Sequence, residues 1–209
     1  MNIFQRLGLP KDYRVDDKVT MHVKHWKDVP ASKKKYPLLG QEKKDGVYCM
    51  IYNSANGPYF YSRTGLELTN TQFLLFKSEM LSQQGCIYIA ELCNYDCSLE
   101  ELSGFINPNR KEALTVDQMY KIGKSLLYFH DIITVNDFVN GYSTLNYSER
   151  FESLCKYFPS YYIIPIKVIN NDEEKDAMLY DIVKNAGGEG IVIKYPYVGG
   201  LLVIKVICK

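Results

Sequence analysis

No run of about 18 consecutive apolar residues occurs anywhere in the 209-residue chain, so no segment reads as a transmembrane helix and no membrane partner is expected. The opening MNIFQRLGLPKDYR lacks the short apolar core and cleavage site of a secretory signal, which sets the expectation of a cytoplasmic protein, in host cytoplasm if viral. An excess of charge is missing too: 25 Lys and Arg against 24 Asp and Glu leave +1, too little for a protein that coats nucleic acid by charge alone. Six cysteines, at 49, 86, 93, 97, 155 and 208, follow no zinc spacing in a chain too long to need staples, so free thiols are expected. Repeats and low-complexity tracts are also lacking.

What is present is the composition of a globular protein, 46% apolar and 23% charged. A single domain spanning 1–209 is expected, with 1–35 as a basic lead-in. Lys18, Lys24, Lys27, Lys33, Lys34, Lys35, Lys43 and Lys44 make the early chain basic, whereas Asp172, Glu173 and Glu174 belong to a later acidic stretch. Lys33, Lys34 and Lys35 fit either a solvated loop or a contact with a phosphate backbone.

Between 36 and 52 the pattern predicts two strands broken by a turn at Asp45-Gly46, and further strands are expected at 59–62, 86–92, 126–133, 161–168, 190–195 and 201–207. Helical spacing predicts helices at 69–82, 117–125, 147–157 and 172–186, the last capped by Asp172, with an irregular loop at 103–112. Strands outnumber helices and the connections are irregular, which indicates an α+β fold.

Lys43-Lys44-Asp45-Gly46 and the distant Glu189-Gly190-Ile191-Val192-Ile193-Lys194 carry the chemistry. A lysine attacks phosphorus only when deprotonated by burial or by nearby positive charge, which Lys44, Lys194 and Lys205 could supply. Glu91 at the end of an apolar strand is conspicuous, because an unpaired buried carboxylate is costly. Each residue also has an ordinary role open to it: Phe129 as a core aromatic, Glu189 as a turn cap, Arg63 as a partner for Glu67, and His130 as a structural residue.

KKDG at 43–46, SRTG at 62–65, IYIAEL at 87–92, YFHDI at 128–132, EGIVIK at 189–194 and a lysine-bearing strand around Lys205 follow the order of motifs in lysine-dependent nucleotidyltransferases. From about Lys34 onward, including SGFINPNR and GYSTLNYSER, the chain resembles the adenylation domain of a bacteriophage-type ATP-dependent DNA ligase. The resemblance implies an α+β nucleotidyltransferase (ATP-grasp-like) fold of antiparallel sheets flanked by helices. It implies that Lys43 takes AMP from ATP, with Mg²⁺ present, and passes it to the 5′-phosphate of a nick in double-stranded DNA, as in replication and repair. In that pattern Gln41 contacts adenine, Asp45 and Gly46 shape the turn, and Arg63 recognises phosphate. Glu91 holds ribose or metal, Phe129 stacks on adenine, Glu189 is metal-linked, and Lys194 and Lys205 lie against the α-phosphate.

Three departures bear on this resemblance. Tyr48 stands where family members commonly carry arginine, Ile207 where a second lysine of the last motif falls, leaving Lys209 as a weak substitute, and the run from Lys194 to Lys205 is short. No OB-fold segment follows Lys209, where the resemblance implies one, so the chain is expected to be either an excised or truncated adenylation domain or one part of a split ligase whose second polypeptide supplies that domain and is needed for nick sealing. The alternatives are an RNA ligase, an NAD-dependent or split-ligase subunit, and a non-catalytic DNA-docking subunit.

Overall fold

The computed structural model describes residues 1–10, 24–76, 78–196 and 203–206. Lys18, Cys208, Lys209 and parts of the strand expected at 201–207 lie outside the described residues. In chain order the elements are α1 (Ile3–Arg6), β1 (Lys24–His25), β2 (Leu38–Glu42), β3 (Val47–Ser54), β4 (Gly57–Tyr61), β5 (Cys86–Cys93), α2 (Leu99–Phe105), α3 (Val116–Gly123), β6 (Leu126–Thr134), α4 (Val135–Asn140), α5 (Tyr147–Tyr157), β7 (Ile166–Ile169), α6 (Asp172–Tyr180), β8 (Ile191–Lys194) and β9 (Val203–Val206).

They form two sheets, one of five strands ordered β1-β9-β8-β2-β7 and one of four ordered β4-β3-β5-β6. All pairings are antiparallel except β1 with β9, so the α+β class and its antiparallel sheets are as expected. The turn at Asp45-Gly46 closes no hairpin; it carries the chain from β2 in the first sheet to β3 in the second.

Both faces of the four-stranded sheet are covered, which is why β5 reads as a nearly unbroken apolar run. One face packs Cys49, Ile51, Tyr88, Ala90 and Phe129 against Phe151 and Leu154 of α5. The other packs Met50, Ile87 and Ile89 against Ile3, Phe4 and Phe138, so the first residues of the basic lead-in are built into the core. In the five-stranded sheet, Leu38, Ile191 and Ile193 bury against Met178 and Leu179 of α6.

Several expectations need correction. The helix expected at 69–82 is two short 3₁₀ turns, Thr71–Phe73 and Ser78–Met80. Asn70 enters the first in the left-handed region at φ 60° and donates its side-chain amide to the Phe105 carbonyl at 2.7 Å, which is incompatible with a continuous helix there. The loop expected at 103–112 begins inside α2, whose Ser98 and Glu101 form a reciprocal cap. Residues 161–168 are a 3₁₀ turn, Ser160–Tyr162, followed beyond Pro165 by β7. At α6 the cap is Asn171 rather than Asp172, and the helix widens into one π turn at Asp181–Asn185.

Candidate active site

Lys43 lies at the joint between the two sheets. Its backbone N–H donates to the Gly190 carbonyl at 2.8 Å, and its ammonium forms an ion pair with Glu189, so the two distant motifs meet. Gly46 is required by space: a β-carbon there would lie 2.7 Å from Cys93 Sγ and 2.9 Å from the Leu92 carbonyl oxygen. Close passage of the turn over the end of β5 thus fixes where Lys43 emerges. Asp45 is exposed in the same turn. Lys44 is already occupied, 2.7 Å from Glu42 and with its ammonium 4.9 Å from the Tyr128 ring centre.

Beneath this joint a buried polar network ties the sheets to α5. Asn146 and Glu149 form the reciprocal cap of α5, which places Tyr147 in its first turn. The Tyr147 hydroxyl shares its hydrogen between Gln41 Oε1 at 2.9 Å and the His130 carbonyl at 2.8 Å, while the Gln41 amide donates to the Ile164 carbonyl at 2.6 Å. Gln41, the expected adenine contact, is therefore buried with both ends of its amide engaged. The His130 carbonyl is available because of a β-bulge. Ile89 pairs with Asp131 and Ala90 with Phe129, leaving His130 as the extra residue of β6.

Lys194 occupies the same carbonyl. Its Nζ lies 3.1 Å from the His130 oxygen, 3.3 Å from His130 Nδ1 and 4.0 Å from the Tyr147 ring centre, with only 1% of the residue exposed. Burial pulls its pKa down from 10.5 to about 7; Asp131 opposes this, while Arg150 pushes the same way as burial. His130 is held neutral, well below the usual histidine range, by burial and then by the Lys194 and Arg63 charges. Asp131 and Arg150 form a wholly buried ion pair, with Nε to Oδ1 at 2.9 Å and Nη2 to Oδ2 at 3.1 Å.

Register places Tyr48, Glu91 and Tyr128 in one row across β3, β5 and β6, and cross-strand partners share a face. The Arg63 guanidinium sits 4.7 Å from the Tyr48 ring centre, and the Tyr48 and His130 rings are 6.4 Å apart. Phe129 is not on this face. It is 0% exposed, stacked on Phe158 at 4.2 Å with Tyr88 edge-on, deep in the core shared with α5. His130, read from sequence as structural, is the aromatic that faces Lys194 and Tyr48. The alternation of buried Leu127 and Phe129 in LLYFHDII already separates Tyr128 and His130 from the core face.

The structure thus brings together Lys43 with Glu189, and Gln41 with Lys194 through Tyr147 and His130. It also brings Glu91 together with Arg63 around Tyr48. Lys205 is in β9, opposite Val192 of β8 and His25 of β1. Tyr147, Asp131 and Arg150 have no role assigned to them from the sequence, although Asp131 falls within YFHDI and Tyr147 and Arg150 within GYSTLNYSER. Among the described residues no three His, Cys, Asp or Glu converge as a protein-only metal cage.

No curated protein matches the sequence. The family model described as "ATP dependent DNA ligase domain" matches residues 20–198. Among solved structures, the fold is similar to Pmar-Lig_Pre, with a TM-score of 0.67, 16% identity, and coverage of 89% of this chain and 44% of that one. It is similar to an ATP-dependent DNA ligase from bacteriophage T7 in complex with ATP (TM-score 0.60, 17% identity, 82% and 62% covered). It is also similar to an archaeal ATP-dependent RNA ligase (TM-score 0.59, 18% identity, 89% and 47% covered). The chain spans less than half the length of the first of these, and at such identities the likeness is one of fold.

Proposed function

Because the chain belongs to the ATP-dependent DNA ligase domain family, we propose that it adenylates itself on Lys43 and delivers that AMP to the 5′-phosphate of a nick. The observation that carries this reading is the meeting of Lys43 and Glu189 at the joint of the two sheets, with a buried lysine, Lys194, at the end of the strand that follows Glu189.

In the first step Lys43 Nζ, having given up a proton and its ion pair with Glu189, attacks the α-phosphorus of ATP. An N–P bond forms, and the bond from that phosphorus to the bridging oxygen breaks as pyrophosphate leaves. Lys194, with Lys205 as a second cation from β9, lies against the α-phosphate, where charge develops. Glu91 takes the ribose, and Arg63 takes a phosphate of the nicked strand through its guanidinium fork. Neutral His130, rather than core-bound Phe129, provides the aromatic face for the base. Gln41 positions Tyr147 and the floor of the site.

Glu189 and Glu91 are hard oxygen donors of the kind that share Mg²⁺ with substrate phosphates without forming a complete protein cage. When bound, the ion supplies charge neutralisation on those phosphates. AMP then passes to the 5′-phosphate, and the 3′-hydroxyl displaces it to form the phosphodiester. With a net charge of +1 these 209 residues have little grip on the duplex by charge alone, so sealing draws on basic surface beyond them.

The test is labelling with ATP or NAD carrying a tagged α-phosphate. Label acquired from ATP and released by pyrophosphate is expected, and label from NAD alone contradicts the reading. Transfer to nicked DNA compared with 5′-phosphorylated RNA then separates the DNA and RNA ligase assignments.

A further inference from the structure

Gln41 of β2, Val192 of β8, Lys205 of β9 and His25 of β1 are successive register partners, so they form one row across the five-stranded sheet. Residues in register share a face. That face is the cleft side: Gln41 is bonded to Tyr147, and Val192 packs against the core that holds Tyr48 and Met50 of the other sheet. Leu38, Ile191 and Ile193, out of step by one residue, bury against α6 instead. Trp26, the residue after His25, goes with them; its indole packs on the α6-side core, with Lys34 Nζ 4.9 Å and Lys175 Nζ 5.3 Å from the ring centre. The basic lead-in is thus pinned from behind, and His25 is left exposed at the open end of the row.

Strand spacing sets what His25 can meet. Neighbouring strands lie about 4.8 Å apart, so His25 stands one strand beyond Lys205 and three beyond Gln41. With Lys205 at the α-phosphate, a group one strand further from Gln41 meets the part of the triphosphate that leaves. An imidazole N–H donates to a phosphate oxygen, and the flanking Lys24 and Lys27 make this stretch of chain cationic. We propose that His25 is a contact for the β- and γ-phosphates of ATP and hence for the departing pyrophosphate. The step keeps its balance: as the Lys43 N–P bond forms, the electron pair of the broken P–O bond goes to the pyrophosphate oxygen, and a donor beside that group meets the charge that builds there. This rests on the nucleotidyl-transfer reading above and adds to it a leaving-group site supplied by the N-terminal lead-in.

Three quantities are compared for wild type and His25→Ala: half-saturation of Lys43 labelling by ATP, half-saturation by pyrophosphate for stripping AMP from labelled protein, and inhibition of labelling by AMP. AMP has no β- or γ-phosphate, so it reports whether the rest of the site is intact. In the variant, half-saturation for ATP and for pyrophosphate is expected to rise together, roughly 3- to 10-fold, while inhibition by AMP stays within about twofold of wild type. Unchanged half-saturation for both, a rise for only one of them, or inhibition by AMP weakened by the same factor overturns the leaving-group contact. Absence of labelling in wild type overturns the nucleotidyl-transfer reading itself, and the two failures are distinguishable.

Discussion

Among single residues, Lys194 stands out as a lysine only 1% exposed that the proposed reaction calls on. In the unfolded chain its ammonium titrates near 10.4, and in the fold near 7. Between those values the unfolded state holds a proton the folded state has lost, so stability rises with pH across that window. The penalty of burying the charge is full below about pH 7 and gone above about pH 10.5. Lys194→Met should therefore melt higher than wild type at pH 6, by an amount on the order of a few kcal/mol, and the gap should close toward pH 10. A gap that stays constant with pH would show that Lys194 keeps its charge in the fold. The same substitution should lower labelling of Lys43 throughout. Tyr147→Phe takes the shared hydrogen from Gln41 and the His130 carbonyl and should cost about 1–3 kcal/mol in chemical denaturation. Lys43, Glu91 and Glu189 were legible as residues because their types and order are constrained by the chemistry. The choice between Phe129 and His130 was legible only in part: the alternation of LLYFHDII puts Phe129 on the core face, but the turn of His130 toward Lys194 depends on a one-residue bulge that no composition rule marks.

At the scale of elements, the turn between β2 and β3 does the positioning. Its glycine is set by the end of β5, so Gly46→Ala must displace either Cys93 or the turn itself. A loss of about 1–3 kcal/mol is expected, together with slower adenylation, as Lys43 moves away from the Gly190 carbonyl. Unchanged labelling kinetics would mean that the turn has slack the packing does not show. The Asp131–Arg150 pair anchors α5 to the bulged strand, and Asp131→Ala should cost about 3–5 kcal/mol by leaving the guanidinium buried without its carboxylate. Calorimetry checks this. Helix α5 was legible end to end from its apolar spacing, and the capping residues of α2 were present to be read. The segment 69–82 was misread because Phe73, Phe76 and Met80 fall at helical spacing while each packs separately onto the α5-side core.

For the whole molecule, the order of six motifs along the chain conveyed the family and the α+β class. It did not convey that the first motif spans two sheets, because sheet membership is decided by long-range pairing: β2 with β7 and β8, and β3 with β4 and β5. The near-zero net charge also belongs to this scale. A duplex-binding titration of the chain alone should show weak, strongly salt-dependent binding to nicked DNA. Tight binding that persists at high salt would assign the grip on DNA to this domain itself.

The central claim is that Lys43 is the nucleophile that carries AMP. Peptide mapping by mass spectrometry, after incubation with ATP and Mg²⁺, tests it directly, with Lys43→Ala alongside. The account predicts the mass of one AMP on the peptide bearing Lys43, localised to that residue and not to Lys44 or Lys194, and no adduct in the variant. An adduct on another lysine, or one that survives Lys43→Ala, would contradict it.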